Sequence, residues 1–275
     1  MSHTSVRHML LAGMFFAIMQ VLVKFLPHIP AIEIVFFRSL FSLVASLWIL
    51  KRNQVPVFGN NKKLLVMRGM AGSMGLILFF YTLQHIPLAS AVTLQYLSPV
   101  FTALLGVVMV KERLKPQQYL FFAIAFGGVL VIEGFDPRIS PLFLLIGIGA
   151  AFFSGLAYNI IRKLKNTEHP LVIVFYFPLL TLPIATLYCI FNWVQPKGWD
   201  WLLLLGVGIF TQAAQYYMTL AYQNAQLSKI ASLNYIGILY ALGFGFIFFN
   251  ETFNLLTYFG MAMVLSGVIL NIRTK

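Results

Sequence analysis

Apolar stretches long enough to cross a bilayer recur from residue 8 to residue 271, separated only by short polar breaks. A spanning helix needs about 20 mostly apolar residues. Cutting the chain at its polar breaks predicts ten of them, near 8–26, 31–50, 64–85, 87–110, 116–133, 141–161, 170–191, 200–221, 227–249 and 255–271. Pro30, Pro87, Pro116, Pro141 and Pro170 each stand at or next to a proposed start. Proline is tolerated there because the first-turn N–H groups have no intrahelical partner. The pattern predicts an all-α integral membrane protein with little chain left for an extramembrane domain. The first 25 residues have the charged start and apolar run of a signal peptide, but the run is long and lacks a small-x-small cleavage site, so it is read as the first retained span.

Composition removes the soluble alternatives. Of 275 residues, 60% are hydrophobic and 9% charged, with a mean hydropathy of +0.87, outside the range of soluble domains. The net charge of +12 would suit nucleic acid only if the basic residues shared a solvated face; they sit instead in the breaks between apolar stretches. No nucleic-acid partner is therefore expected, and the lipid bilayer is the expected surrounding. Their distribution sets orientation. Arg7, Lys51, Arg52, Lys62, Lys63, Arg68, Lys111, Arg113, Lys115, Arg162, Lys163, Lys165, Lys229, Arg273 and Lys275 are assigned to one side, against Arg138 and Lys197 on the other. By the lysine and arginine bias of short loops, both termini are expected in the cytoplasm, with the chain crossing a bacterial inner membrane an even number of times.

An internal repeat appears when the sequence is displaced by 139 residues against itself. Residues 77–132 then match 216–271 at Gln84/Gln223, Leu88/Leu227, Leu94/Leu233, Tyr96/Tyr235, Gly106/Gly245, Glu112/Glu251, Tyr119/Tyr258, Ala123/Ala262, Gly128/Gly267 and Val129/Val268. The same offset pairs Lys24 with Lys163, Leu40 with Leu179, and Ile34-Val35-Phe36 with Ile173-Val174-Phe175. Two five-span repeats are predicted, residues 1–136 and 137–275. An odd number of spans forces the second copy into the membrane upside down, and inverted repeats place a solute site near midplane where they meet.

The stretch IPLASAVTLQYLSPVFTALLGVVMVKERL at 86–114, followed by GGVLVI at 127–132, resembles the EamA type of the drug/metabolite transporter superfamily. Its degraded second copy is NAQLSKIASLNYIGILYALGFGFIFFNETF at 224–253, where Ser98-Pro99 becomes Gly237-Ile238. The resemblance covers essentially the whole chain and implies a ten-span carrier built as five plus five, in a family whose cargoes include amino acids, nucleosides, cofactors and drugs. A transporter of a small organic metabolite, of amino acid, nucleoside or S-adenosyl type, working by alternating access is expected. A lipid-handling protein, a channel or a non-transporting scaffold is the alternative.

The candidate site is a set of polar side chains inside the spans. Arg38 lies well within the second span, where an arginine costs about 2.5–3.5 kcal/mol to insert. It is expected either to meet an anionic group of the solute or to tie down backbone carbonyls. Glu33 is poorly placed as its partner, since five helical residues turn through roughly 140°. Gln95, Ser98 and Thr102 form one polar stripe in the fourth span with Tyr96 beside it, and Asn234 and Tyr235 stand at the repeat-equivalent positions. Gln212, Gln215 and Tyr216 form a patch in the eighth span; Tyr158 and Asn159 in the sixth, and Tyr81 with Gln84 in the third, complete a prospective lining. Glu33 and Lys24 are weak candidates for coupling, each also explained as a hydrated helix-end group. Gly69, Gly72 and Gly75 make a small-residue stripe that suits close helix approach.

Catalytic constellations such as H-E-x-x-H, G-x-S-x-G and a phosphate-binding loop are absent from the sequence. His3, His8, His28, His85 and His169 are dispersed and Cys189 is alone, so no metal, cofactor or disulfide framework is expected. Without a phosphate loop, transport is expected to run on a gradient, by exchange or downhill. Monomer and homodimer both remain open.

Overall fold

The structure is a computed structural model that describes residues 3–111, 115–135, 140–224 and 236–273. Eleven helices are described: α1 (His3–Lys24), α2 (Ala31–Arg52), α3 (Lys62–His85), α4 (Leu88–Gln95), α5 (Ser98–Met109), α6 (Pro116–Phe135), α7 (Pro141–Lys163), α8 (Pro170–Asn192), α9 (Asp200–Asn224), α10 (Ile236–Phe249) and α11 (Leu255–Arg273). Pro116, Pro141 and Pro170 are first helical residues, while Pro30 and Pro87 directly precede α2 and α4. Asn61 accepts from Leu64 N–H at 3.2 Å, so α3 begins at Lys62.

One predicted span is not a single helix. The fourth, expected over 87–110, divides into α4 and α5 at Tyr96 and Leu97. Pro99 accounts for the break: it cannot donate to the carbonyl of Gln95, and its ring crowds that carbonyl. Leu97 N–H turns to Leu94 O at 3.0 Å and Val100 N–H to Leu97 O at 3.0 Å, the tighter spacing of a 3₁₀ turn. The ninth span, expected over 227–249, is represented by α10; residues 227–235 lie outside the described set.

Among the described residues, stretches long and apolar enough to span by themselves are Thr4–Lys24, Ala31–Arg52, Lys62–His85, Ser90–Met109, Pro141–Lys163 and Pro170–Asn192. Many large apolar side chains point outward, among them Val108, Phe191 and Leu255. A soluble monomer rarely carries so much contiguous apolar exposure; hydrocarbon is its natural neighbour. All four tryptophans, Trp48, Trp193, Trp199 and Trp201, are exposed and lie toward helix ends, where amphipathic rings collect at membrane interfaces.

The two five-helix repeats have inverted topology, and their packing obeys the 139-residue offset. α1 packs on α9 while α7, the repeat partner of α1, packs on α3, the partner of α9. α2 packs on its own partner α8, and α6 on its partner α11. At the last contact a Cβ on Gly128 would stand 2.6 Å from Gly260 O and 2.7 Å from Val264 N. A Cβ on Gly267 would stand 2.5 Å from Phe121 O and 2.8 Å from Ala125 N, each atom displaced by the same 139 positions. Gln84 donates to Ile29 O at 2.7 Å and Gln223 to Glu168 O at 3.1 Å, again one offset apart. The side chains therefore repeat the relation that the sequence identities announce.

Candidate functional site

The repeats enclose a central cavity of about 120 Å³ lined from α1, α2, α3, α4, α5, α7, α8, α9 and α10. Of the expected site residues, Arg38, Gln95, Tyr96, Ser98, Tyr158 and Gln215 line it. The α4–α5 break delivers Gln95, Tyr96 and Ser98 to one wall, because the interruption falls where the backbone faces a polar hollow rather than lipid. Gln95 Nε2 donates to Ser154 Oγ at 2.8 Å, leaving its Oε1 with no hydrogen bond among the described residues; Gln215 Oε1 is in the same condition. The Tyr96 hydroxyl sits against Gly237, in the space a Cβ there would fill. Tyr158 stacks on Tyr222 with centroids 4.8 Å apart.

Arg38 is buried and donates from Nε to Thr211 Oγ1 at 3.0 Å, while its Nη1 makes no hydrogen bond among the described residues. A second buried arginine lines the same cavity. Arg68, assigned from sequence to the loop cations, lies inside α3 with Nε and Nη1 unpartnered among the described residues. Both guanidinium groups rest on one ring: Arg38 Cζ is 4.9 Å, and Arg68 Cζ 5.2 Å, from the Phe177 centroid. Arg38 also stands 5.7 Å from the Phe80 centroid. Such stacking stabilises a cation but satisfies none of its N–H donors.

Four acidic side chains are engaged elsewhere. Glu33 Oε2 accepts from Val194 N–H at 3.0 Å; Glu168 accepts from Asn60 N–H at 2.7 Å and from Asn61 N–H. Asp200 meets His28 at 2.9 Å, and Glu251 meets Lys24 at 2.6 Å. Among the described residues, the cavity lining contains no carboxylate.

Several expected residues stand apart from the cavity. Asn159 donates to Thr102 O at 2.9 Å and Gly155 O at 3.0 Å, bridging α7 and α5. Gln212 bonds Ser42 and Ser46, tying α9 to α2. Tyr81 is exposed and packs on His85, with centroids 4.2 Å apart. Tyr216 packs on Tyr217 outside the lining. Glu33 and Lys24 join helix ends rather than facing the cavity. Asn234 and Tyr235 lie outside the described residues.

Arg68, Gln20, Ser154 and Phe177 line the cavity without having been singled out from sequence. For Arg68 a signal was present. The Asn61 cap puts it about two turns inside α3, and Gly72, one turn further on, leaves the space its Nη1 occupies. The glycine stripe thus has two roles: Gly72 admits a guanidinium, whereas Gly75 brings α3 against α7, where a Cβ would meet Ala150 O at 3.2 Å.

Inverted repeats, a broken helix and a central cavity with polar groups in its wall are features that recur among membrane transporters. The EamA-like transporter family matches residues 5–134 and 141–273, and the chain belongs to that family. It is 31% identical over 272 residues to the pseudopaline exporter CntI of Pseudomonas aeruginosa, covering 96% of this chain and 94% of that protein. It is 26% identical over 262 residues to human solute carrier family 35 member G1, covering 88% and 71%. A protein crystal structure 18% identical in sequence matches with a TM-score of 0.70 over 97% of this chain and 96% of the other, a likeness of fold. The chain is a multi-pass membrane protein whose relatives are transporters of small molecules.

Proposed function

We propose that this protein is an alternating-access carrier for a small organic metabolite bearing an anionic group. The observation that carries the reading is Arg38 in the central cavity, buried, with, among the described residues, Nη1 unsatisfied and no carboxylate in the lining. A buried charge without a partner is costly, and a bound anion would remove that cost. An ammonium or sulfonium group would find no lining carboxylate, which favours organic anions over cationic S-adenosyl compounds within the expected cargo classes. Gln95 and Gln215 offer open oxygens to orient hydroxyl or amide groups, and Tyr96, Tyr158 and Phe177 offer apolar surface.

The two repeats, 1–136 and 137–275, would rock about the site to expose it to each side in turn. Both ends of the chain would face the cytoplasm of a bacterial inner membrane, an orientation that the lysine and arginine bias of the loops supports. The relative named as an exporter supports outward movement of the solute.

The test is a thermal-shift screen of the purified protein against amino acids, nucleosides, nucleotide-linked cofactors and S-adenosyl compounds, followed by flux of each stabilising compound in proteoliposomes. A ligand that binds only the folded state raises its apparent stability. Saturable flux of an anionic compound, lost in Arg38→Ala, is the expected result. Saturable flux confined to neutral or cationic compounds would overturn it.

A further inference from the structure

Arg38 and Arg68 belong to consecutive antiparallel helices, each about two turns inside its own, so they enter from opposite ends and converge on Phe177. Between them they present at least three N–H-bearing nitrogens with no acceptor among the described residues: Arg38 Nη1, Arg68 Nε and Arg68 Nη1. The chain has seven acidic residues. Glu33, Glu168, Asp200 and Glu251 are held at helix ends and loops by the partners described above. Glu112, Glu133 and Asp136 follow α5 or fall at the end of α6 and just beyond it in the sequence. One carboxylate on a solute would answer one guanidinium and leave the second buried and uncompensated.

Resting on the carrier reading above, we infer that the cavity takes a solute with two negative charges, a dicarboxylate or its equivalent, bound by Arg38 and Arg68 together. Arg68 is then a specificity-determining residue that selects the dianion over the monoanion. Guanidinium forks suit this task because each matches a carboxylate with two parallel N–H donors. Phe177, within 4.9 and 5.2 Å of the two guanidinium carbons, stabilises both cations without supplying an anion that would compete with the solute. Gly72 is part of the same device, since a side chain there would displace Arg68 Nη1.

The experiment measures melting of the purified full-length protein in nanodiscs with malonate, succinate, glutarate and adipate, each beside its monoamide and diamide. At least one dicarboxylate is expected to stabilise dose-dependently, with an apparent affinity on the order of tenfold or more above its monoamide. Arg68→Gln is expected to erase that preference without lowering the melting temperature of the ligand-free protein, because it removes an uncompensated buried charge. Arg68→Lys, which keeps the charge but loses the two parallel donors and the stacking on Phe177, is expected to narrow the preference and tests Arg68 should the glutamine variant not fold; an undiminished preference in it would overturn the role of the guanidinium fork. Equal stabilisation by dicarboxylate and monoamide, or by monoamides alone, overturns the two-charge inference but leaves the anion carrier standing. Stabilisation by the diamides alone overturns both, and no stabilisation by any dicarboxylate overturns the inference of a dianion site. A ligand-free Arg68→Gln protein that melts well below the parent would mark Arg68 as structural.

Discussion

Lys24 Nζ lies 2.6 Å from Glu251 Oε1, an ion pair that joins the end of α1 in the first repeat to the turn after α10 in the second. The same carboxylate oxygen accepts from Leu88 N–H at 2.9 Å, and Lys24 donates to Ile86 O at 3.1 Å. One buried carboxylate therefore fastens α1, the start of α4 and the end of α10 at a single point. The 139-residue offset relates Lys24 to Lys163 and Glu251 to Glu112, with Glu112 outside the described residues.

Removing either partner of that pair leaves the other poorly solvated. Lys24→Ala and Glu251→Ala are each expected to cost about 1–3 kcal/mol, less than a fully buried pair because Lys24 retains some exposure. The exchanged pair Lys24→Glu with Glu251→Lys is expected to recover part of the loss. Melting temperatures in detergent of Lys24→Ala, Glu251→Ala and the variant carrying both alanines, read as a double-mutant cycle, give the coupling. Strict additivity would show that the pair contributes nothing.

Gly237 is required by Tyr96. A Cβ at 237 would fall on the tyrosine hydroxyl, so Gly237→Ala is expected to destabilise by about 1–3 kcal/mol, the range for overpacking. Tyr96→Phe in the same chain removes the clashing oxygen and is expected to restore most of the stability. If Tyr96→Phe gives no rescue in a thermal melt, the contact is not what limits position 237.

The break between α4 and α5 is expected to depend on Pro99. Pro99→Ala restores an N–H at 99 and removes the ring that crowds Gln95 O, allowing 88–109 to approach one continuous helix. Stability is expected to stay level or rise, while flux in proteoliposomes falls because Gln95 and Tyr96 turn from the cavity wall. Unchanged flux would show that the cavity tolerates a straight helix.

The repeat-related glutamines are expected to differ in weight. Gln84 donates to both Leu26 O at 3.1 Å and Ile29 O at 2.7 Å, whereas Gln223 donates to Glu168 O alone among the described residues. At about 0.5–1.5 kcal/mol per net hydrogen bond, Gln84→Ala is expected to lower the melting temperature more than Gln223→Ala. The reverse order would place the stronger restraint at the α7–α8 turn.

The periodicity of apolar runs, the prolines at helix starts and the constant offset of 139 were enough to determine the number of spans, most helix bounds and the two-repeat plan. Those features are local or linear: a bilayer imposes a helix length, and proline acts through its own ring and missing N–H. Arg38, Gln95, Tyr96, Ser98, Tyr158 and Gln215 were also legible as cavity residues, since a polar group inside an apolar helix must turn from lipid.

Tertiary structure decided which of those inward groups face a hollow and which face a neighbouring helix. Asn159 and Gln212 have the same local signature as Gln95 and Gln215, yet their amides bond across helix contacts instead of lining the cavity. Arg68 shows the converse. Beside Lys62 and Lys63 it has the linear context of a loop cation, and only the placement of Phe177 from α8, with the space left by Gly72, turns it inward. Helix periodicity specifies the direction in which a side chain leaves its own axis; what it meets is supplied by residues of other helices far along the chain, which no local pattern encodes.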